Sequence, residues 1–345
     1  MIEQLFKGER IPSIVVATDG TVLAFGRTGR IFRRSTDAGE TWGEVREVGD
    51  DAEGSAVVDE NNGDVMVVAG RKGHLWRSSD HGATWAREDI EIKANPLGHG
   101  SPGRVPPLTG ASESGVTLQH GEHKGRLLMP ARVQPPEGNN DQEWWPCNYN
   151  TAIYSDDGGK TWQTAGPVQS GTGEGTLAEL SSGNIYYNSR CHMAVDHRRR
   201  IAWSYDGGNM WTDWRVSEDL FEVGQPHYFR YGTEPSYGCN AGLMRIPLEA
   251  TGGKDVLLFC TPDDPGGARV RMTVWASFDG AKTWPVKRLV SEYFSAYSSI
   301  TADRSGNIFL LFEGGETELH DGMSVARFDL DWVMDGKDWS TLCDG

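Results

Sequence analysis

Three arginines, one glutamate and one tyrosine lie far apart in a chain of 345 residues, yet their types together could grip and transform an anionic substrate. Arg10 opens an apolar run in Arg-Ile-Pro, Arg190 closes one in Tyr-Asn-Ser-Arg, and Arg269 precedes one in Gly-Gly-Ala-Arg-Val-Arg. Guanidinium groups bind carboxylates through paired hydrogen bonds, so three on one axis would make a strong carboxylate site. Each taken singly reads better as a solvated loop charge. Glu174 stands in Gly-Glu-Gly-Thr-Leu-Ala-Glu-Leu and Tyr297 in Ser-Ala-Tyr-Ser-Ser-Ile. A tyrosine is most often a packing residue. Paired with a carboxylate base, however, its neutral phenol can attack a carbon that itself carries a carboxylate. An anionic Asp or Glu nucleophile would be repelled there.

Such residues need a frame that brings them together, and the chain advertises one. The phrase Ser-x-Asp-x-Gly-x-Thr-Trp, or a close copy, occurs five times, at residues 35–42, 78–85, 155–162, 204–211 and 277–284. Each Asp can accept backbone N–H groups of its own turn, Gly tolerates the positive φ, and Trp offers an apolar face between sheets. This Asp-box turn joins strands of a β-propeller blade. Strand-like runs after the fifth box finish a further blade, predicting an all-β, six-bladed β-propeller as a single domain over residues 1–345, with almost no helix.

Box positions also sort the loops. If each box joins the third and fourth strands of its blade, the turns between second and third strands lie on the opposite face, with the links between blades. Chemistry is expected there. All five residues above fall in or beside those loops, as do two long Pro/Gly/Asn-rich stretches, 133–150 and 221–240. The composition, with 44 Gly and 13 Trp, fits many short strands joined by tight turns. A net charge of −16 opposes nucleic acid and anionic membranes as partners. The cysteines, Cys147, Cys191, Cys239, Cys260 and Cys343, lack metal-site spacing and read as reduced thiols. The opening segment has no apolar run. A cytoplasmic location is therefore expected, or a secreted or periplasmic one if a signal has been removed.

Taken with Arg-Ile-Pro ahead of a box, Glu174-x-x-x-x-Glu-Leu leading to Arg190, Tyr297-Ser-Ser-Ile and Phe312-Glu313, the chain resembles the exo-α-sialidases (neuraminidases) of glycoside hydrolase family 33, with BNR repeats. The resemblance spans nearly the whole chain. It implies that Arg10, Arg190 and Arg269 bind the sugar carboxylate, that Tyr297 is the nucleophile and Glu174 its base, and that no cofactor or metal takes part. Arg27 corresponds to a second first-blade arginine. The family's acid/base aspartate should follow it, but Gly26-Arg-Thr-Gly-Arg-Ile31 contains no carboxylate. Asp50 and Asp51, entering the second blade, are ranked first as replacements. Asp141 and Glu143 come next, then His99 and His192; Asp50 and Asp51 read equally as a polar link.

The shortened loop should open one side of the pocket. Trp144, Trp145, Tyr149, His227 and Tyr228 could rebuild that wall by stacking on a glycan, or could serve homo-oligomer contacts. The expected partners are glycans bearing sialic acid or a related nonulosonic acid. The expected activity is retaining release of the terminal sugar through a tyrosyl intermediate. A lectin-like propeller with weak or lost turnover, and a scaffold propeller without ligand, are the alternatives.

Overall fold

The computed structural model describes residues 2–93, 108–110, 113–133, 149–193, 196–224 and 238–344. Its strands form five antiparallel-rich sheets in a propeller-like arrangement. The first holds Ser13–Val16, Val22–Gly26, Ile31–Ser35 and Arg46–Glu47, and the second Ser55–Val58, Val65–Ala69, His74–Ser78 and Ala86–Asp89. The third is built on Leu127–Val133, Tyr149–Ser155 and Thr161–Thr164. The fourth contains Thr172–Glu179, Ile185–Cys191, Arg198–Ser204 and Thr212–Phe221. The fifth sheet has seven strands.

That fifth sheet is where hydrogen bonding departs from six separate blades. Strand Val286–Ala302 pairs through its first half with Val270–Ser277 and through its second half with Ile308–Gly315. One long strand thus joins two sets of strands into a continuous ladder. Ring closure is also visible in it: Ile2–Lys7 pairs antiparallel with Gly322–Phe328, tying the two ends of the chain together.

Second strands such as Val22–Gly26 and Val65–Ala69 are buried along their whole length. They are covered on both faces by neighbouring sheets, so they read as unbroken apolar runs rather than as alternation. The outermost strand Thr212–Phe221 is largely exposed and polar.

Each box turn is built as its residue types demand. In four of them the aspartate Oδ1 accepts the Thr amide at 2.7–3.0 Å and Oδ2 accepts the Thr hydroxyl at 2.5–2.7 Å. Thr41 and Ser35 pull the Asp37 carboxyl down to about 2. The fourth box has Met210 in place of Thr, so Asp206 accepts the Met210 amide and the Ser204 hydroxyl but no threonine hydroxyl. The five box tryptophans enter five different apolar clusters, each formed with the preceding sheet. Where no box exists, the turn of helix Leu330–Val333 supplies the plug. Asp329 caps it by accepting the Trp332 amide, and Val333 and Met334 pack into the remaining cluster.

Candidate functional site

Glu174 and Arg190 face one another on neighbouring strands of the fourth sheet. The ladder shifts register between Thr172 and Gly175, so a bulge at Gly173–Glu174 turns the carboxylate toward the ring's interior side. Glycine is required on both flanks. A Cβ on Gly173 would lie 1.9 Å from His192 Nε2, and one on Gly175 would lie 2.4 Å from the Tyr187 ring. Tyr297 sits at a second bulge, between Ser295 and Ser298.

These two irregularities join residues from distant sheets. The Tyr297 hydroxyl donates to Glu174 Oε1 at 2.7 Å, and Arg190 donates to Glu174 Oε2 at 2.7 Å and to the Tyr297 oxygen at 2.9 Å. Arg10 and Arg269 each hold their guanidinium carbon 5.6 Å from the Tyr297 ring centre. Arg269 donates to the Gly238 carbonyl, and its buried Nε donates no hydrogen bond to the described residues. Val223, Cys239, Ala296, Ile11 and Leu319 form the apolar collar around the phenol.

Arg10 is moored by a residue from the last strands. Glu313, fully buried, accepts from Arg10 at 3.2 Å and from the Ile11 amide at 2.8 Å. Ile11 has φ +64°, a conformation that a β-branched residue adopts only under constraint. A buried pair, Arg199 with Glu222, supports the other side, with Glu222 accepting the Cys191 and Cys239 amides.

The electrostatics divide the proton between the central pair. Burial would raise the Glu174 carboxyl, but the Arg190 and Arg132 guanidiniums, with the Tyr297 hydrogen bond, outweigh it and hold it well below the usual carboxylate range. Burial, then the Glu174 charge, push the Tyr297 phenol upward. Burial and Arg190 keep His192, 3.7 Å from Glu174, well below its ordinary value. The resting site is therefore an ionised glutamate accepting from a neutral phenol. Such a pair can pass one proton as the phenol oxygen attacks an electrophile.

Arg10, Arg190, Arg269, Glu174 and Tyr297 are thus assembled. Arg27 lies beside them but points outward, half exposed and paired with Glu9 through Nε at 3.0 Å. Its backbone amide donates to the Arg10 carbonyl. The expectation for Asp51 needs correction. Its carboxylate accepts from Trp76 at 2.9 Å and Arg87 at 3.1 Å. Although desolvation opposes them, these partners hold it below its ordinary value, the wrong direction for a proton donor. Asp50 is exposed, and no described hydrogen bond joins it to the cluster. Tyr149 is buried at the start of its strand and bridged to Ser170, so it offers no stacking face. Trp145 lies outside the described residues, as do His99, Asp141, Glu143, Trp144, His227 and Tyr228.

Sequence reasoning passed over Arg132, 3.8 Å from Glu174, the Arg199–Glu222 pair and Glu9. Glu313 it noted only as part of a matching phrase. Glycines 173 and 175 were the readable signal for the first bulge; nothing in Ser-Ala-Tyr-Ser-Ser marked the second.

A family model described as BNR repeat-like domain matches residues 62–310. The chain is similar to a sialidase of Micromonospora viridifaciens, 28% identical over 95% of this chain and 52% of that protein. It is also similar to a sialidase of Bacteroides fragilis, 26% identical over 88% of this chain and 59% of its relative. The chain therefore spans between half and three fifths of the length of these curated relatives. Among solved structures, the Hadza microbial sialidase Hz136 superposes with a TM-score of 0.70, covering 94% of this chain and 66% of that one. At 24% identity that likeness is one of fold.

Proposed function

This chain belongs to the BNR repeat-like domain family, and from that premise we propose that it is a retaining exo-glycosidase releasing a terminal α-linked sialic acid, or a related 2-keto-3-deoxy sugar acid, from glycans. The observation that carries the reading is the Tyr297–Glu174–Arg190 triangle, with its 2.7–2.9 Å contacts, flanked by Arg10 and Arg269. The sugar carboxylate binds the three arginines. Tyr297 Oη attacks the anomeric carbon while its proton passes to Glu174. The C–O bond to the leaving group breaks, its electron pair staying on the leaving oxygen, which takes up a proton from solvent. Water then attacks the anomeric carbon as the bond to Tyr297 Oη breaks; the phenol oxygen takes back the proton held on Glu174, and the attacking water gives up its proton to solvent. Arg190 stabilises negative charge building on the phenol oxygen, where burial makes a fixed cation most effective.

We read the frame as six blades. The seven-stranded sheet counts as two, because six separate apolar clusters lie between successive sets of strands.

One observation favours the second reading, a glycan-binding propeller with weak turnover. The first-blade loop 26–31 has no carboxylate, and Asp51 is committed to Trp76 and Arg87. Aryl leaving groups need little protonation. The test is therefore a pair of substrates, an aryl sialoside and sialyllactose, with wild type and Tyr297→Phe. The glycosidase reading expects turnover of both, reduced at least about a thousandfold by the substitution. Full activity in Tyr297→Phe sinks the mechanism. Turnover of the aryl substrate alone selects the weak-turnover reading.

A further inference from the structure

A fully buried ion pair lies beside the cluster of Tyr297, Glu174 and the three arginines. Arg199, on the strand Arg198–Ser204, and Glu222, just past the strand Thr212–Phe221, each have a side chain with no exposed surface. Arg199 Nη1 donates to both Glu222 oxygens, at 3.1 and 3.0 Å, and its guanidinium lies 5.3 Å from the Phe259 ring centre. Taking two charges out of water is costly, and an apolar pair of similar volume often serves stability as well. What an apolar pair cannot do is hold backbone amides and carbonyls at fixed places.

The hydrogen bonds of this pair go to two segments of the chain. Glu222 Oε1 accepts the Cys191 amide at 3.1 Å, and Oε2 accepts the Cys239 amide at 3.3 Å. Arg199 donates through Nε to Asn188 Oδ1 at 2.6 Å and through Nη1 to the Cys239 carbonyl at 2.8 Å. Each segment carries one arm of the arginine cluster. Cys191 directly follows Arg190. Gly238, directly before Cys239, gives its carbonyl to Arg269 at 3.0 Å. The fit on this second segment is close: Gly238 has φ +76°, and a Cβ there would lie 2.3 Å from Glu222 Oε2. Only glycine lets the carboxylate reach that backbone.

We propose that the Arg199–Glu222 pair is a positioning element that sets the separation of Arg190 and Arg269, and with it the preference of the site for a carboxylate over an uncharged group. Arg190 belongs to the fourth sheet and Arg269 to the fifth, and the pair is bonded to backbone on both sides of that boundary. Paired hydrogen bonds from guanidinium to carboxylate depend on where each fork stands. Slackening either segment therefore weakens a charged ligand more than a neutral one. The proposal rests on the glycosidase reading, which makes a sugar carboxylate the group that Arg190 and Arg269 meet.

The test is calorimetric titration of the unsaturated 2,3-dehydro analogue of sialic acid, and of its uncharged methyl ester, into wild type and two variants. Glu222→Gln leaves Arg199 buried without its counter-charge and can unfold the chain. The double variant Arg199→Met/Glu222→Leu removes both charges and keeps the volume, so it retains the fold. Wild type should prefer the acid. In the double variant, and in Glu222→Gln where it folds, the ratio of acid to ester affinity should fall about tenfold while ester affinity holds. A pair that only stabilises the fold would lower the thermal midpoint and leave that ratio alone. An unchanged ratio in the double variant, or an equal loss for both ligands, overturns the proposal and leaves the glycosidase reading standing. A wild type without preference for the acid overturns the glycosidase reading, and the proposal with it.

Discussion

Glu113 offers the sharpest quantitative test of the fold that positions this site. The residue is 1% exposed, and its Oε1 accepts the Ser114 amide and the Ser299 hydroxyl, each at 2.7 Å. Ser299 Oγ in turn accepts the Ile14 amide, so the carboxyl helps join the strand of Tyr297 to the first sheet. Burial pushes Glu113 up from 4.5 to about 8, against the weaker pull of its hydrogen-bond donors. Because the folded value is raised, the sign is fixed. Glu113 costs nothing while protonated in both states, below about 4.5. As pH rises towards about 8 the unfolded chain ionises first, and folding stability is lost. Between about pH 5 and about pH 7.5 this single group should cost about 3 kcal/mol. Glu113→Gln keeps the shape and acceptor but cannot ionise. Urea unfolding of wild type and variant at both pH values cancels every other titrating group. The variant should gain about 3 kcal/mol on wild type in going from the lower to the higher pH. An equal difference between the two proteins at both pH values would refute the reasoning.

Other outcomes follow from the same geometry. Glu313→Gln weakens the hold on Arg10, so KM for an aryl sialoside should rise about tenfold with kcat little changed; an unchanged KM would mean Arg10 does not bind substrate. Glu174 is held well below its ordinary value. As the base it must be ionised, so the acid limb of kcat/KM should fall below the usual carboxylate range; a limb near 4.5 would argue for another base. Met210→Thr gives Asp206 the threonine hydroxyl partner that the other boxes possess. It should raise unfolding stability by about 1 kcal/mol, checked by thermal melting.

The legibility of the chain follows the range of the interactions. The boxes are local: Ser35, Asp37 and Thr41 satisfy one another within seven residues, so their turn can be read from type and spacing. Their spacing also sorted the loops, which is why the five site residues were expected together before any contact was known. Asp51 went the other way. Its position near the first blade made it attractive, but Trp76 and Arg87 approach from strands whose side-chain directions depend on register. Tyr149 failed for a similar reason, since nothing local distinguishes the end of a long loop from the first buried residue of a strand.

The amino-acid sequence by itself therefore determined the all-β repeating frame, the box turns and the chemical types that could grip an anionic substrate. Those depend on hydrogen bonds and apolar faces within a few residues. Only the tertiary structure decided that Glu174 is ionised beside a neutral Tyr297, that Glu313 moors Arg10, and that one long strand fuses two sets of strands. Charge states and register are set by neighbours 16 to 303 residues away, and no local pattern encodes their distance or burial.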